Sequence, residues 1–163
     1  LLNACGRSNS EGMGLALALG DLEALEGARK LRADYVNEVM AGLERIARDG
    51  VTAMENIQYF VNENLGLSGI LCGVTMQYLG DREKPTIALS EHDEGVKISS
   101  RGTFPLLEQG IDLAVAMRES AAKVGGFGGG HRIAAGATVP KGREDEFLAV
   151  LDAMIGEQKK KEA

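Results

Sequence analysis

The sequence predicts an α/β protein: a small mixed sheet flanked by helices, in the order β-α-β-β-α-β-α, preceded by one long connecting helix. Three observations carry this. First, Leu31, Tyr35, Val39 and Leu43 recur every four residues, and the stretch stops at Asp49-Gly50. That is helical periodicity ending in a C-cap signal. Second, PTIALS and GVKISSRG are short β-prone runs joined by the polar turn EHDEG, a hairpin pattern. Third, amphipathic helical stretches follow the apolar runs, as in a layered sheet-and-helix arrangement.

Taken in order, EGMGLALALG at 11–20 is apolar and glycine-punctuated, a short helix or strand. Asp21 is a candidate N-cap for the long helix. About 28 residues of helix would span ~40 Å, long for a small domain and suited to connecting two. Residues 1–50 therefore read as the end of one domain plus a connector, and 51–163 as a second domain. In the latter, NIQYFV reads as a strand and LSGILCGVTMQYLG as a buried helix with small glycine faces, a strand being the alternative. The hairpin follows. LLEQGIDLAVAMRESAAKVG reads as one amphipathic helix, with Ile111, Val115 and Arg118 marking its turns. A glycine loop and a short strand, AGATVP, come next. REDEFLAVLDAMIGEQ closes as a helix that is acidic at its start, as the dipole prefers, with Phe147, Leu148, Leu151 and Ile155 on one face. The tail EQKKKEA reads as a frayed helix end.

Composition narrows the function classes. The 163 residues hold 44% hydrophobic residues, enough for a core, and carry a net charge of −6. That charge argues against coating nucleic acid through bulk positive potential. Between Lys84 and Arg143, however, eight Lys and Arg stand against six Asp and Glu, so a local basic groove is possible. No run reaches the length of a membrane span. The opening LLNACGRSNS shows neither an initiator methionine nor a signal-peptide pattern, and reads as a cut inside a longer protein. Two cysteines, Cys5 and Cys72, form neither a disulfide framework nor a zinc site; among small and apolar neighbours they read as reduced, packed thiols of a cytoplasmic protein.

Common catalytic signatures are missing. The segment GGFGGGHRIAAG, Gly125–Gly136, is not G-x-G-x-x-G, and no G-K-[ST] or G-x-S-x-G follows. His92 and His131 are the only imidazoles, and no cluster has metal-ligand spacing; His92 reads as part of a solvated turn. The glycine segment suits anion binding. Glycine lets backbone approach a ligand closely, successive N–H groups form an anion-binding concavity, a helix starting near His131 would add its own donors, and Arg132 suits bidentate phosphate contact. The bland alternative is a tight turn with His131 in the core. A second constellation lies in GVKISSRG. On a strand, Lys97, Ser99 and Arg101 point to one face and Ile98 to the other, a row of phosphate donors or else an ordinary exposed face.

Several motifs together resemble a known family. GGGHRIAAGA at Gly128–Ala137 is similar to the glycine-histidine motif of the DHH-associated domain, the C-terminal substrate-binding half of DHH phosphoesterases. VKISSRGT and DLAVAMRESAAKVGG precede it in the expected order, and LLNACGR resembles the signature where RecJ-type exonucleases pass into the connecting helix. The nearest branch by this reading is that of archaeal RecJ-like single-strand exonucleases, which includes the GINS-associated nuclease.

The resemblance implies phosphodiester hydrolysis by two divalent ions, manganese or magnesium, held by a DHH domain. It implies that Gly128, Gly129, Gly130 and His131 cradle a phosphate. Ser99 and Arg101 would contact the nucleic-acid backbone, beside the donors Lys97 and Arg132 read above, and His131 would neutralise charge developing in the transition state. Asn3 and Arg7 would shape the inter-domain cleft. The implied partners are single-stranded DNA or RNA and replisome proteins such as GINS, with no membrane. The DHH triplet is absent from this sequence, so the expectation is a substrate-binding half that holds no metal and hydrolyses nothing alone. Two further readings stand beside it. One is a small-substrate DHH phosphodiesterase acting on short oligonucleotides or dinucleotides. The other is a non-catalytic replication-factor interaction module.

Overall fold

The computed structural model describes residues 1–161. They divide into two compact units, Leu1–Glu44 and a second beginning at Arg45. The first holds α1 (Leu2–Arg7), α2 (Glu11–Ala18) and most of α3 (Ala24–Asp49). The helical alternative for residues 11–20 is the one adopted. Small residues let these helices approach: a Cβ on Gly14 would lie 3.1 Å from Cys5 Cβ, and one on Gly27 would lie 2.9 Å from Met13 Cε. Asp21 accepts a hydrogen bond from the Glu23 amide at 2.9 Å, just before α3. The predicted stripe of Leu31, Tyr35, Val39 and Leu43 is half-buried, and Ala28 and Ile46 of the same helix are buried. The Gly50 amide closes α3 by donating to the Ile46 carbonyl at 2.8 Å.

The second unit is built on six strands: β1 (Thr52–Ala53), β2 (Gln58–Val61), β3 (Thr86–His92), β4 (Gly95–Arg101), β5 (Phe127–His131) and β6 (Ala134–Val139). Their spatial order is β1-β2-β3-β4-β6-β5. Only β2 and β3 run parallel, and such a pair requires a crossover. Here the crossover is a 3-10 turn, Leu65–Leu67, followed by α4 (Ser68–Tyr78). The remaining helices are α5 (Phe104–Glu108), α6 (Leu113–Lys123) and α7 (Glu144–Lys161). Glu162 and Ala163, the end of the EQKKKEA tail, lie outside the described residues.

The sheet has two different faces. Ile87, Leu89, Val96, Ile98, Ala135, Ala137 and Val139 alternate onto one face and join Leu113, Met117, Phe147, Leu151 and Ile155 from α6 and α7 in the main core. Ile98 is therefore in the core, as the strand alternation requires. α4 packs on the opposite face. Its Ser68 Oγ lies 2.6 Å from Ser90 Oγ, and its Cys72 thiol donates to the Thr86 carbonyl at 2.9 Å. Burial pushes the Cys72 pKa up to about 12. Cys5 and Cys72 are both free and buried.

Two local expectations are corrected. The helix read across residues 106–125 is two helices, because Gly110 takes φ +85° between them and Asp112 restarts the helix by capping the Val115 amide at 3.1 Å. The glycine segment is not a loop. It is the edge strand β5, and no helix starts near His131; the chain turns at Arg132 and Ile133 into β6.

Candidate functional site

The pairing register assembles the sequence-derived donors into a lattice. Partners directly opposite in an antiparallel pair share a face. β4 pairs with β6 and β6 with β5, giving three rows on the face opposite the main core: Lys97–Thr138–Phe127, Ser99–Gly136–Gly129 and Arg101–Ala134–His131. Neighbouring strands lie ~4.8 Å apart, and successive rows lie ~7 Å apart along them. Thus Lys97, Ser99 and Arg101 form one wall, and His131 stands about two strand spacings away, at the sheet edge.

The first two rows form an open groove of about 350 Å³, whose lining includes Leu65, Lys97, Ser99, Phe127, Gly129, Gly136 and Thr138; Arg101 and His131, in the third row, stand beside it and outside that lining. Among the described residues, no carboxylate lines it. Its floor is bare because the middle row presents two glycines. Lys97, Ser99 and Arg101 are half-buried and His131 is exposed. Arg101 Nη1 donates to the Ser100 carbonyl at 2.8 Å, and a Cβ on Gly69 would sit 2.9 Å from Arg101 Nη2. The guanidinium therefore rests over the first turn of α4, and glycine there leaves it room.

The glycines of β5 divide by role. Gly128 faces α6, where a Cβ would lie 2.7 Å from the Met117 carbonyl oxygen. At Gly130 a Cβ would lie 2.6 Å from Ala135 Cα, with φ +142° besides. Both are therefore required by packing. A Cβ on Gly129 would meet nothing within 4 Å; its side faces the open groove.

The other sequence-derived residues fall elsewhere. Arg132 Nε lies 3.3 Å from Asp112 Oδ2, so its guanidinium is engaged at the N-terminus of α6 and not in the row. Asn3 and Arg7 are exposed on α1, in the first unit. His92 ends β3 and its Nδ1 accepts from the Glu94 amide at 3.5 Å. Sequence reasoning missed Thr138 and Leu65 as groove residues. Thr138 could have been found from the alternation of AGATVP with Gly136; Leu65 arrives only through the crossover. Among the described residues, no three His, Cys, Asp or Glu side chains converge as metal ligands, and no helix is long and apolar enough to cross a membrane.

Comparison with known proteins gives the geometry a context. The DHHA1 domain model matches residues 56–157. An uncharacterized protein of Methanocaldococcus jannaschii is 32% identical over 158 residues, 97% of this chain and 34% of that protein. The chain thus spans about a third of that relative's length. Among solved structures, RecJ from Thermus thermophilus in complex with Mn²⁺ superposes with a TM-score of 0.76 at 20% identity, over 96% of this chain and 23% of that one. A pGpG-specific phosphodiesterase from Vibrio cholerae gives a TM-score of 0.53 at 12% identity, over 79% and 43%.

Proposed function

We propose, from the premise that this chain belongs to the DHHA1 domain family, that it grips the phosphate backbone of single-stranded nucleic acid for a RecJ-like, metal-dependent exonuclease. The observation that carries this reading is the row of Lys97, Ser99 and Arg101 facing a bare glycine floor, with His131 at its far edge and no carboxylate in the groove. An anion entering there meets an ammonium and a hydroxyl, and a chain running on along β4 meets the Arg101 guanidinium in the next row. Charge-assisted hydrogen bonds of this kind are roughly twice as strong as neutral ones. Gly129 and Gly136 let the sugar-phosphate chain approach the sheet itself.

In this reading each residue has a defined part. Arg101 and Lys97 hold successive phosphates, Ser99 hydrogen-bonds the nucleotide unit that joins them, and His131 stabilises charge developing on the scissile phosphate. Gly128 and Gly130 set the path of β5. Arg132 holds the hairpin against α6 through Asp112. Asn3 and Arg7 face the catalytic domain of the whole enzyme, which supplies the divalent metals and the attacking water.

The groove's short span favours a second reading on one point. Three rows cover ~14 Å of strand, which suits a dinucleotide as well as the end of a longer strand. Fluorescence anisotropy at low salt, with a labelled single-stranded oligonucleotide and a labelled dinucleotide, tests both. Binding is expected to fall at least about tenfold in the Arg101→Ala/His131→Ala double variant, from the loss of a guanidinium and an imidazole contact. A preference for the longer probe favours the exonuclease, and equal affinity favours the small-substrate enzyme. Equal binding by wild type and double variant would overturn the phosphate grip.

A further inference from the structure

Phe127 opens β5 at the end of the groove and is 72% exposed. It shares its row with Thr138 and Lys97, and Leu65 also lines the groove. The groove is therefore two-natured: the donors Lys97 and Ser99 along β4, bare glycine backbone in the middle row, and an exposed aromatic ring at the β5 end of the upper row. A site for inorganic phosphate chains gains nothing from an exposed aromatic ring. A nucleotide has this same division, a phosphate joined through a sugar to a flat π-face.

We propose that Phe127 is a base-stacking platform, so that the groove takes a nucleotide unit with its phosphate over Gly129 and Gly136 and its nucleobase against the Phe127 ring. This rests on the phosphate-gripping reading above and adds the substrate class to it: a base-bearing phosphodiester, as opposed to a polyphosphate or simple phosphate ester. Along β5 the ring stands two residues from Gly129, ~7 Å of strand, and the groove's volume of about 350 Å³ leaves room for one such unit. Phenylalanine offers no hydrogen-bond donor or acceptor. The platform therefore reads the presence of a base and not its identity, as stacking surfaces for single strands do.

Three probes separate the possibilities: a short single-stranded deoxyadenosine oligomer, an abasic oligomer of equal length, and inorganic tripolyphosphate. Wild type, Phe127→Ala, Phe127→Tyr and the Arg101→Ala/His131→Ala double variant are titrated with each. The expected result is that wild type holds the base-bearing oligomer at least about tenfold tighter than the abasic one. Phe127→Ala should remove that difference while binding the abasic chain as before, and Phe127→Tyr should restore it. Replacing deoxyadenosine by thymidine should change affinity much less than removing the base. Equal wild-type affinity for base-bearing and abasic chains, or unchanged discrimination in Phe127→Ala, overturns the stacking platform alone. Insensitivity of all three probes to the double variant, or no binding of any probe, overturns the phosphate grip and the platform with it.

Discussion

Gly129 and Gly136 are paired directly across β5 and β6, and neither presents a side chain to the face that carries Lys97, Ser99 and Arg101. The bare strip between cationic wall and sheet edge is thus made by two glycines in register. The consequence is a division of labour among the glycines of β5 that mutagenesis can read. Gly128→Ala and Gly130→Ala drive a methyl into the Met117 carbonyl and the Ala135 backbone. Overpacking of this kind costs about 1–3 kcal/mol. Gly129→Ala meets only the backbone penalty of its φ, +157°. Thermal melts should therefore rank Gly130→Ala below Gly129→Ala, and an inverted order would show that the open side of Gly129 is filled.

Arg101 and His131 hold no part of the core. His131→Ala should leave the thermal transition within about 0.5 kcal/mol of wild type, the usual range for surface substitutions. Arg101→Ala loses the bond to its neighbour's carbonyl and the packing of its guanidinium over Gly69, and should behave similarly. Each is expected to weaken oligonucleotide binding several-fold. A collapsed melt for either would mean that the residue is structural.

Asp152 ties α7 to the start of β2. Its Oδ1 accepts from the Asn56 amide at 2.7 Å and from the Ile57 amide at 3.0 Å, and the residue is buried. Asp152→Ala would orphan two amides and should cost about 2–4 kcal/mol. Asp152→Asn, which keeps one acceptor, should cost less. Chemical denaturation measures both, and a loss under about 1 kcal/mol for alanine would contradict the tie.

The Cys72 thiol gives a pH signature. Its folded pKa of about 12, raised by burial, lies above the ~8.5 of an unfolded thiol. Its contribution is fully present below the unfolded value and is lost as pH rises between the two, at ~1.4 kcal/mol per pH unit. Wild type should lose stability above about pH 9 more steeply than Cys72→Ala, the variant that removes this titration. Parallel curves for the two proteins would contradict the burial.

Incubated with manganese and a labelled single strand, this chain alone should release no nucleotide above a mock-purified control, because catalysis is assigned to the metal-bearing domain. Turnover that follows the chain through purification and falls with His131→Ala would place the chemistry here instead.

The legible parts of the fold were those with side-chain alternation. In GVKISSRG the apolar and donor residues alternate, so both faces of β4 could be read before any partner was known. The GGFGGGH strand carries almost no such pattern; glycine has no side chain to alternate, and its β character comes from pairing with β6. The break at Gly110 was hidden because Ile111, Val115 and Arg118 keep helical spacing on its far side. β1 has only two residues, too few to show any period. Of the candidate site, the placing of Lys97, Ser99 and Arg101 on one face of β4 was legible from the sequence. Its register, which puts Arg101 and His131 in one row and sends Arg132 to Asp112, belongs to the tertiary pairing.

The salt dependence of single-strand binding tests the central claim most directly. Each phosphate neutralised on a single strand contributes a slope of about −0.7 in log K against log salt. With Lys97 and Arg101 engaged, wild type should show a slope of about −1.4 or steeper, and Arg101→Ala should flatten it by about 0.7. A slope that is the same for wild type, Arg101→Ala and Lys97→Ala would mean that the phosphates are held somewhere other than this face.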